Sequence, residues 1–333
     1  MVARIATVIL ATAAIASVAA PEPLALVLSG GGAKGAYEVG VWQELQAAGV
    51  ASRVTAISGT SVGAINAALF ATRPEAAESL WLENMEDVFT LNTNRVGESL
   101  QKTVDDASHA VSVAEETGED WKGVASFVLS TLLRAAGDYV EITQSDAPRE
   151  GYIDSSKLAA ALDGALPTNW PAGTPAVYAT AVDKGDDKPT ATWMLNGESH
   201  ERRVLILRAS AAIPVGFDTV SIDGKTYVDG GWEAKGGNNV PLGPILERHP
   251  EIKTAIVVYL ADEKHLNRDR FEKNRAAATA AGVRLVEIVP SEDIGGAFGW
   301  AGVFDASPET ARHLIELGRK DARKVLVEAG LMK

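Results

Sequence analysis

Residues 53–71 read RVTAISGTSVGAINAALFA. Val54 to Ile57 is a short apolar run of strand character, Ser58-Gly59-Thr60-Ser61-Val62-Gly63 forms a turn, and an alanine-rich helix follows from Ala64. The turn contains Gly-x-Ser-x-Gly with Ser61 at its centre. A strand that turns sharply into a helix lifts the central side chain out of the sheet, and the flanking glycines remove side chains that would collide there. The positive end of the following helix then favours negative charge developing beside Ser61. Ser61 is therefore a candidate nucleophile, with Gly59 and Gly63 supporting its turn. An ordinary strand-to-helix connection is the alternative that the bare pattern leaves open.

The segment upstream has the same form. Leu24 to Leu28 is a continuous apolar run that predicts a strand buried on both faces. It feeds into Ser29-Gly30-Gly31-Gly32-Ala33-Lys34-Gly35 and then a helix from Ala36 to Ala48, ended by Gly49. The run satisfies G-x-G-x-x-G, but a dinucleotide site needs an acidic residue at the end of the second strand, where this chain has Ser58-Gly59-Thr60-Ser61. No G-K-[ST] follows either, so the phosphate-loop reading fails as well. What is left is a set of backbone N–H groups able to face an anion, which in an acyl-transfer enzyme is an oxyanion hole.

Composition bounds the rest. The 333 residues are 46% hydrophobic, enough for one large α/β domain with a cap. Lys and Arg total 31 against 44 Asp and Glu, a net charge of −13. That balance argues against nucleic acid and against electrostatic docking on anionic lipid, leaving transient apolar contact as the expected mode of membrane engagement. With no cysteine, disulfides, thiolate catalysis and cysteine-ligated metals are excluded. The histidines, His109, His200, His249, His265 and His313, show no close ligand pair, so no metal and no cofactor is expected.

Three motifs in order, Gly30-Gly31-Gly32-Ala33-Lys34-Gly35, Gly59-Thr60-Ser61-Val62-Gly63 and Val228-Asp229-Gly230-Gly231, resemble those of the patatin-like phospholipases. Arg208-Ala209-Ser210-Ala211-Ala212-Ile213-Pro214 is similar to the stretch before the family's Asp-Gly-Gly. The resemblance spans roughly Leu24 to Pro241. It implies a serine acyl hydrolase acting on a lipid ester, with Ser61 as nucleophile, Asp229 as its base and the Gly30, Gly31 and Gly32 amides as oxyanion hole. Lys34 and Gly35 support that loop in this reading, as Gly230 and Gly231 support Asp229. The implied fold is α/β, a mostly parallel central sheet flanked by helices on both faces, with a helical cap insertion. In one departure, Asn239-Val240-Pro241 follows a longer loop, Trp232 to Asn238, than most relatives have.

Elsewhere, Met1 to Ala20 carries Arg4, an apolar run from Ile5 to Ala16 and the small residues Ser17-Val18-Ala19-Ala20, the layout of a secretory signal peptide. Export to the periplasm or outside is the expectation; a retained N-terminal helix on a cytoplasmic protein is the alternative. The mature domain then runs from 21 to 333, with the cap insertion at about 75–150. Within it, Glu75 to Phe89 predicts a helix, and Trp121 to Tyr139 is apolar on most faces, suiting either an acyl channel or plain core. Asp154-Ser155-Ser156 opens another helix, Ala176 to Val182 and Thr190 to Leu195 predict strands, and a further turn at Gly197-Glu198 precedes Arg203 to Leu207. Lys225 to Val228 predicts the strand that delivers Asp229. Lys253 to Leu260 and Val283 to Val289 predict strands, Arg268 to Ala281 and Pro308 to Glu328 helices. A Ser-His-Asp triad is the rival to the dyad and would draw on His249, His265 or His313, none of which stands in a distinguishing loop. The same residues also serve an acyltransferase, a small-ester carboxylesterase or a non-catalytic lipid-binding protein on the same fold, and oligomeric state is not legible.

Overall fold

A computed structural model describes residues 21–89, 151, 153–186, 190–214, 216–295 and 303–332. The expected signal peptide and the Trp121 to Tyr139 helix lie outside the described residues, as does most of the cap insertion. Leu24–Leu28 (β1) and Val54–Thr60 (β2) lead into Ala36–Ala47 (α1) and Val62–Thr72 (α2). The predicted helix at 75–89 is broken into Glu75–Ser79 (α3), a π-type turn at Leu80–Asn84 and Met85–Val88 (α4). Ser155–Ala165 (α5), Ala176–Asp183 (β3) and Thr190–Met194 (β4) follow. The chain continues through His200–Ser210 (α6), Val220–Ile222 (β5), Lys225–Asp229 (β6) and Gly243–Arg248 (α7). Thr254–Val258 (β7), Arg268–Ala281 (α8), Arg284–Ile288 (β8) and Pro308–Glu328 (α9) complete it.

The strands form one eight-stranded sheet in the order β5-β6-β3-β2-β1-β7-β8, with β4 also against β3. From β3 to β8 along this path the pairing is parallel. The period of two along β1 divides its side chains between two cores. Leu24, Leu26 and Leu28 join α1, α2 and α9 on one face, whereas Ala25 and Val27 join Ile245 of α7 and Phe271 and Ala278 of α8 on the other. This is the sheet with helices on both faces that the resemblance implied. Each fully buried Leu or Ile in these layers contributes roughly 1.5–3 kcal/mol of transfer free energy. Helix α2 is buried from Val62 to Phe70, which explains its alanine-rich composition: small side chains let the helix lie against the sheet, and Phe70 stacks on Trp42 at 4.9 Å.

One feature of β3 creates the site. Residues 178–182 of β3 pair with β4, 176–180 with β2 and 181–183 with β6. Because a strand has two edges and β4 overlaps both other partners, β2 and β6 lie in tandem along the same edge. β2 runs parallel to β3 and β6 antiparallel, so their C-terminal ends point at each other. Thr60 is opposite Thr180 and Asp229 is opposite Ala181.

Candidate active site

Ser61 sits at the tip of β2 with φ 55° and ψ −130°, a left-handed conformation unusual for a residue with a side chain. Such a backbone costs about 1–3 kcal/mol and persists only when its surroundings enforce it. Here the Ser61 N–H donates to Ser210 Oγ at 2.8 Å, and the Ser61 carbonyl accepts from Ala64 and Ile65 at 2.9 and 3.3 Å. Ser210 Oγ in turn donates to the Thr180 carbonyl at 2.7 Å. The neighbouring glycines are required by close packing: a Cβ on Gly59 would lie 2.2 Å from the Gly63 carbonyl oxygen, and one on Gly63 would lie 2.7 Å from the Leu28 and Ser29 carbonyls.

Asp229 ends β6 and is buried. Its N–H donates to the Ala212 carbonyl at 2.9 Å, and its Oδ1 accepts the Gly231 N–H at 2.7 Å. Oδ2 makes no hydrogen bond of normal geometry, yet the Ser61 hydroxyl lies close enough to act on the carboxylate. The two groups are thus in near approach rather than in a formed bond. Burial pushes the Asp229 pKa up to about 6, against smaller lowering effects of the Ser61 hydroxyl and the Gly231 amide. A carboxylate so raised is a better proton acceptor than one in water and is still ionised at neutral pH.

The glycine loop borders the same cleft, about 480 Å³ in volume. Gly30 is held at both ends of its peptide unit, its N–H donating to the Asn239 carbonyl at 3.1 Å and its carbonyl accepting from Asn239 Nδ2 at 2.9 Å. This corrects the expectation that Gly30 supplies an oxyanion donor, because its amide is already committed. The Gly31 and Gly32 amides donate to no acceptor among the described residues and are free for a ligand. Lys34 is buried behind them; desolvation lowers its pKa, while Asp293 and Asp262 pull it back up.

The family model described as patatin-like phospholipase matches residues 26–245. The chain belongs to the patatin-like phospholipase family. Family membership supports lipid hydrolase activity. A search of curated proteins gives no match. Among solved structures, VipD from Legionella pneumophila shares 16% identity over 93% of this chain and 67% of its own, with a TM-score of 0.41. Human GIVD cytosolic phospholipase A2 shares 10% over 93% of this chain and 59% of its own, with a TM-score of 0.47. ExoU of Pseudomonas aeruginosa, in its complex with SpcU, shares 16% over 92% and 52%, with a TM-score of 0.39. This patatin-like chain therefore spans little more than half the length of the last two.

Sequence reasoning missed several residues that build this patatin-like site. Ser210 ends α6 and reaches both Ser61 and the residue after Asp229: its hydroxyl holds the Ser61 amide, and its carbonyl accepts the Gly230 N–H at 3.1 Å. Thr60 Oγ1 and Thr180 Oγ1 are 2.6 Å apart, and Thr60 also donates to the Asn238 carbonyl at 2.9 Å, tying the longer 232–238 loop to the end of β2. Ser210 lay in the stretch already noted as similar to the family, which was the signal available. His265 is exposed at the rim of the cleft, with its Nδ1 bonded to Asp262. His249 bonds Tyr178 and Glu251, and His313 pairs with Glu292. Among the described residues, the group whose potential ligand atoms converge is Asp262, His265 and Asp293, and its two carboxylates are the ones that act on the Lys34 ammonium.

Proposed function

We propose that this protein is a serine lipid acyl hydrolase that cleaves fatty-acyl esters through an acyl-enzyme on Ser61, with Asp229 as general base. The observation that carries the reading is the head-on approach of the β2 and β6 ends, which brings a strained serine to a buried carboxylate beside two free glycine amides. Ser61 Oγ attacks the ester carbonyl carbon as its proton passes to Asp229 Oδ2. The carbonyl oxygen becomes an oxyanion received by the Gly31 and Gly32 N–H groups. Collapse breaks the bond to the leaving alkoxide, which takes the proton from Asp229 and departs as the alcohol. Water repeats the sequence on the acyl-serine and frees the fatty acid. A carboxylate is a weak base for a serine hydroxyl, so proximity and the amides carry much of the acceleration.

The surroundings of Ser61 support a lipid substrate. On one side Ile65, Met85, Val88, Leu158 and Phe217 form an apolar wall beside Ser61 whose present recess, about 10 Å³, would have to widen to take an acyl chain. On the other, the cleft presents Lys34, Glu233, Asn239, Asn267 and Arg270, suited to the polar part of a lipid. Export through residues 1–20 and transient apolar membrane contact complete the proposal. The test is fluorophosphonate labelling together with fatty-acid release from phospholipid vesicles, comparing wild type with Ser61→Ala. Labelling and release by wild type alone are expected; a wild type that fails to label, or a Ser61→Ala variant that still hydrolyses, would overturn the reading. Adding competing alcohol acceptors separates hydrolysis from acyl transfer.

A further inference from the structure

Helix α1 carries two buried glutamates with different surroundings. Glu44 meets the Arg323 guanidinium at 2.8 and 3.2 Å. Glu38 is 0% exposed, and the groups that act on it are Asn66 and the Ser29 amide, with no cation among them. The Asn66 side chain links three elements: its Nδ2 donates to Glu38 Oε2 and to the Gly35 carbonyl, both at 2.9 Å, and its Oδ1 accepts from Trp81 Nε1 at 2.9 Å. The indole N–H can only donate, so the amide orientation is fixed and Nδ2 must face Glu38 and Gly35. Trp81, set by the π-type turn, packs against Gly35 so closely that a Cβ there would lie 2.5 Å from its ring. Two buried oxygens lack partners at the other end of this network, Glu38 Oε1 and Ser29 Oγ, and Ser29 directly precedes the glycine loop.

We propose that Glu38 is a positioning residue held as a neutral carboxylic acid beneath the glycine loop, where with Asn66 it sets the loop that presents the Gly31 and Gly32 amides. Protonated on Oε1, the carboxyl keeps Oε2 as the acceptor for Asn66 and gains a donor of its own, and the Ser29 hydroxyl can serve as acceptor as well as donor. An ionised carboxylate would have no cation among the described residues to offset its burial, and the start of α1 offers only a small compensation. Desolvation accordingly raises the Glu38 pKa well above the usual carboxylate range. The network holds the loop directly at Gly35 after the glycines and lies against Ser29 before them, so its loss loosens the donors without touching substrate. This inference rests on the proposal that those amides receive the oxyanion.

Glu38→Gln and Glu38→Ala, each compared with wild type after active-site titration with a fluorophosphonate, test it. Gln reproduces a neutral side chain with a donor and an acceptor, so kcat stays within about twofold. Ala lowers kcat by about tenfold or more at little-changed KM, because donors worth large rate factors lose their preorganisation. Difference infrared spectroscopy at pH 8, where Asp229 is ionised, reads the proton directly: wild type shows a protonated-carboxyl band that Glu38→Gln lacks. Absence of that band, or a Gln variant as impaired as Ala, overturns the proposal. If Ala does not fold, Gln and the infrared band still decide. If Ser61→Ala proves as active as wild type, the proposed function fails while the infrared result still reports on Glu38 independently.

Discussion

The turns after β1 and β2 are adjacent strand-to-helix connections on neighbouring parallel strands, and they hold their functional groups by different means. The β2 turn presents a side chain. It confines strain to Ser61, at φ 55°, and locks it through the residue's own backbone, with Ser210 on the N–H and α2 on the carbonyl. The β1 turn presents backbone. In the proposed mechanism its Gly31 and Gly32 amides stay unbonded for the oxyanion, and the grip falls on the residues at either end, Asn239 on Gly30 and Asn66 on Gly35. A nucleophile can be aimed by enforcing one unusual torsion, whereas free donors are aimed only by fixing what surrounds them.

The sharpest test of this contrast removes the presented groups. Ser61→Ala should lower hydrolysis by about 10⁴-fold or more and abolish fluorophosphonate labelling. Asp229→Asn should approach that loss, and in wild type kcat/KM should rise with pH and level off above about pH 6, where Asp229 is ionised. The same residue has a stability signature of known sign. The folded-state pKa lies above the unfolded value of 3.8, so ionised Asp229 opposes folding. The cost is absent below 3.8, grows as pH rises toward about 6 and is full above it, at about 3 kcal/mol as an upper figure. Asp229→Asn should therefore be inactive yet more stable than wild type at pH 8, with the gain vanishing near pH 3.5 in denaturant titrations; a variant less stable at pH 8 would contradict this.

Loosening the grips should cost less. Asn239→Ala removes the side-chain tie to Gly30 and should lower kcat by about 10- to 100-fold, a fraction of what a lost oxyanion donor costs. Ser210→Ala leaves the buried Ser61 N–H unpaired, at about 1–3 kcal/mol in thermal or denaturant unfolding, with about a tenfold fall in kcat as Ser61 relaxes. If Asn239→Ala proves harmless while Ser210→Ala is inactive, the two turns do not differ as described. The smallest effects belong to the histidines: His249→Ala and His313→Ala should stay within about twofold of wild-type hydrolysis, because their partners are Tyr178, Glu251 and Glu292. His265→Ala should keep labelling Ser61, and a histidine variant as inactive as Ser61→Ala would replace the dyad with a triad.

Legibility followed local information. Leu24–Leu28, Arg268–Ala281 and Pro308–Glu328 were readable to the residue, the strand as an unbroken apolar run; the structure adds the Asn267 and Ser307 side-chain caps that begin the two helices. Helix α6 was not, because its sequence, HERRVLILRAS, has no clean amphipathic stripe. Its Arg203 is buried, donating to the Leu195 and Thr168 carbonyls and stacking on Trp170, an environment no periodicity announces. With α6 went Ser210, and with the 232–238 loop went the hold that Asn239 exerts on Gly30.

From the sequence alone came the two glycine-framed turns, the order of the three motifs and the family they resemble, since each depends on residues close together in the chain. Only the tertiary structure decided that β2 and β6 share one edge of β3 and meet end to end, that Gly30 is spent on Asn239, and that Glu38 lies under the loop with no cation beside it among the described residues. These depend on pairings between residues 28 to 209 positions apart. Such contacts are selected by the geometry of strand edges and by the need to satisfy every buried polar group, conditions that exist only once the sheet has formed.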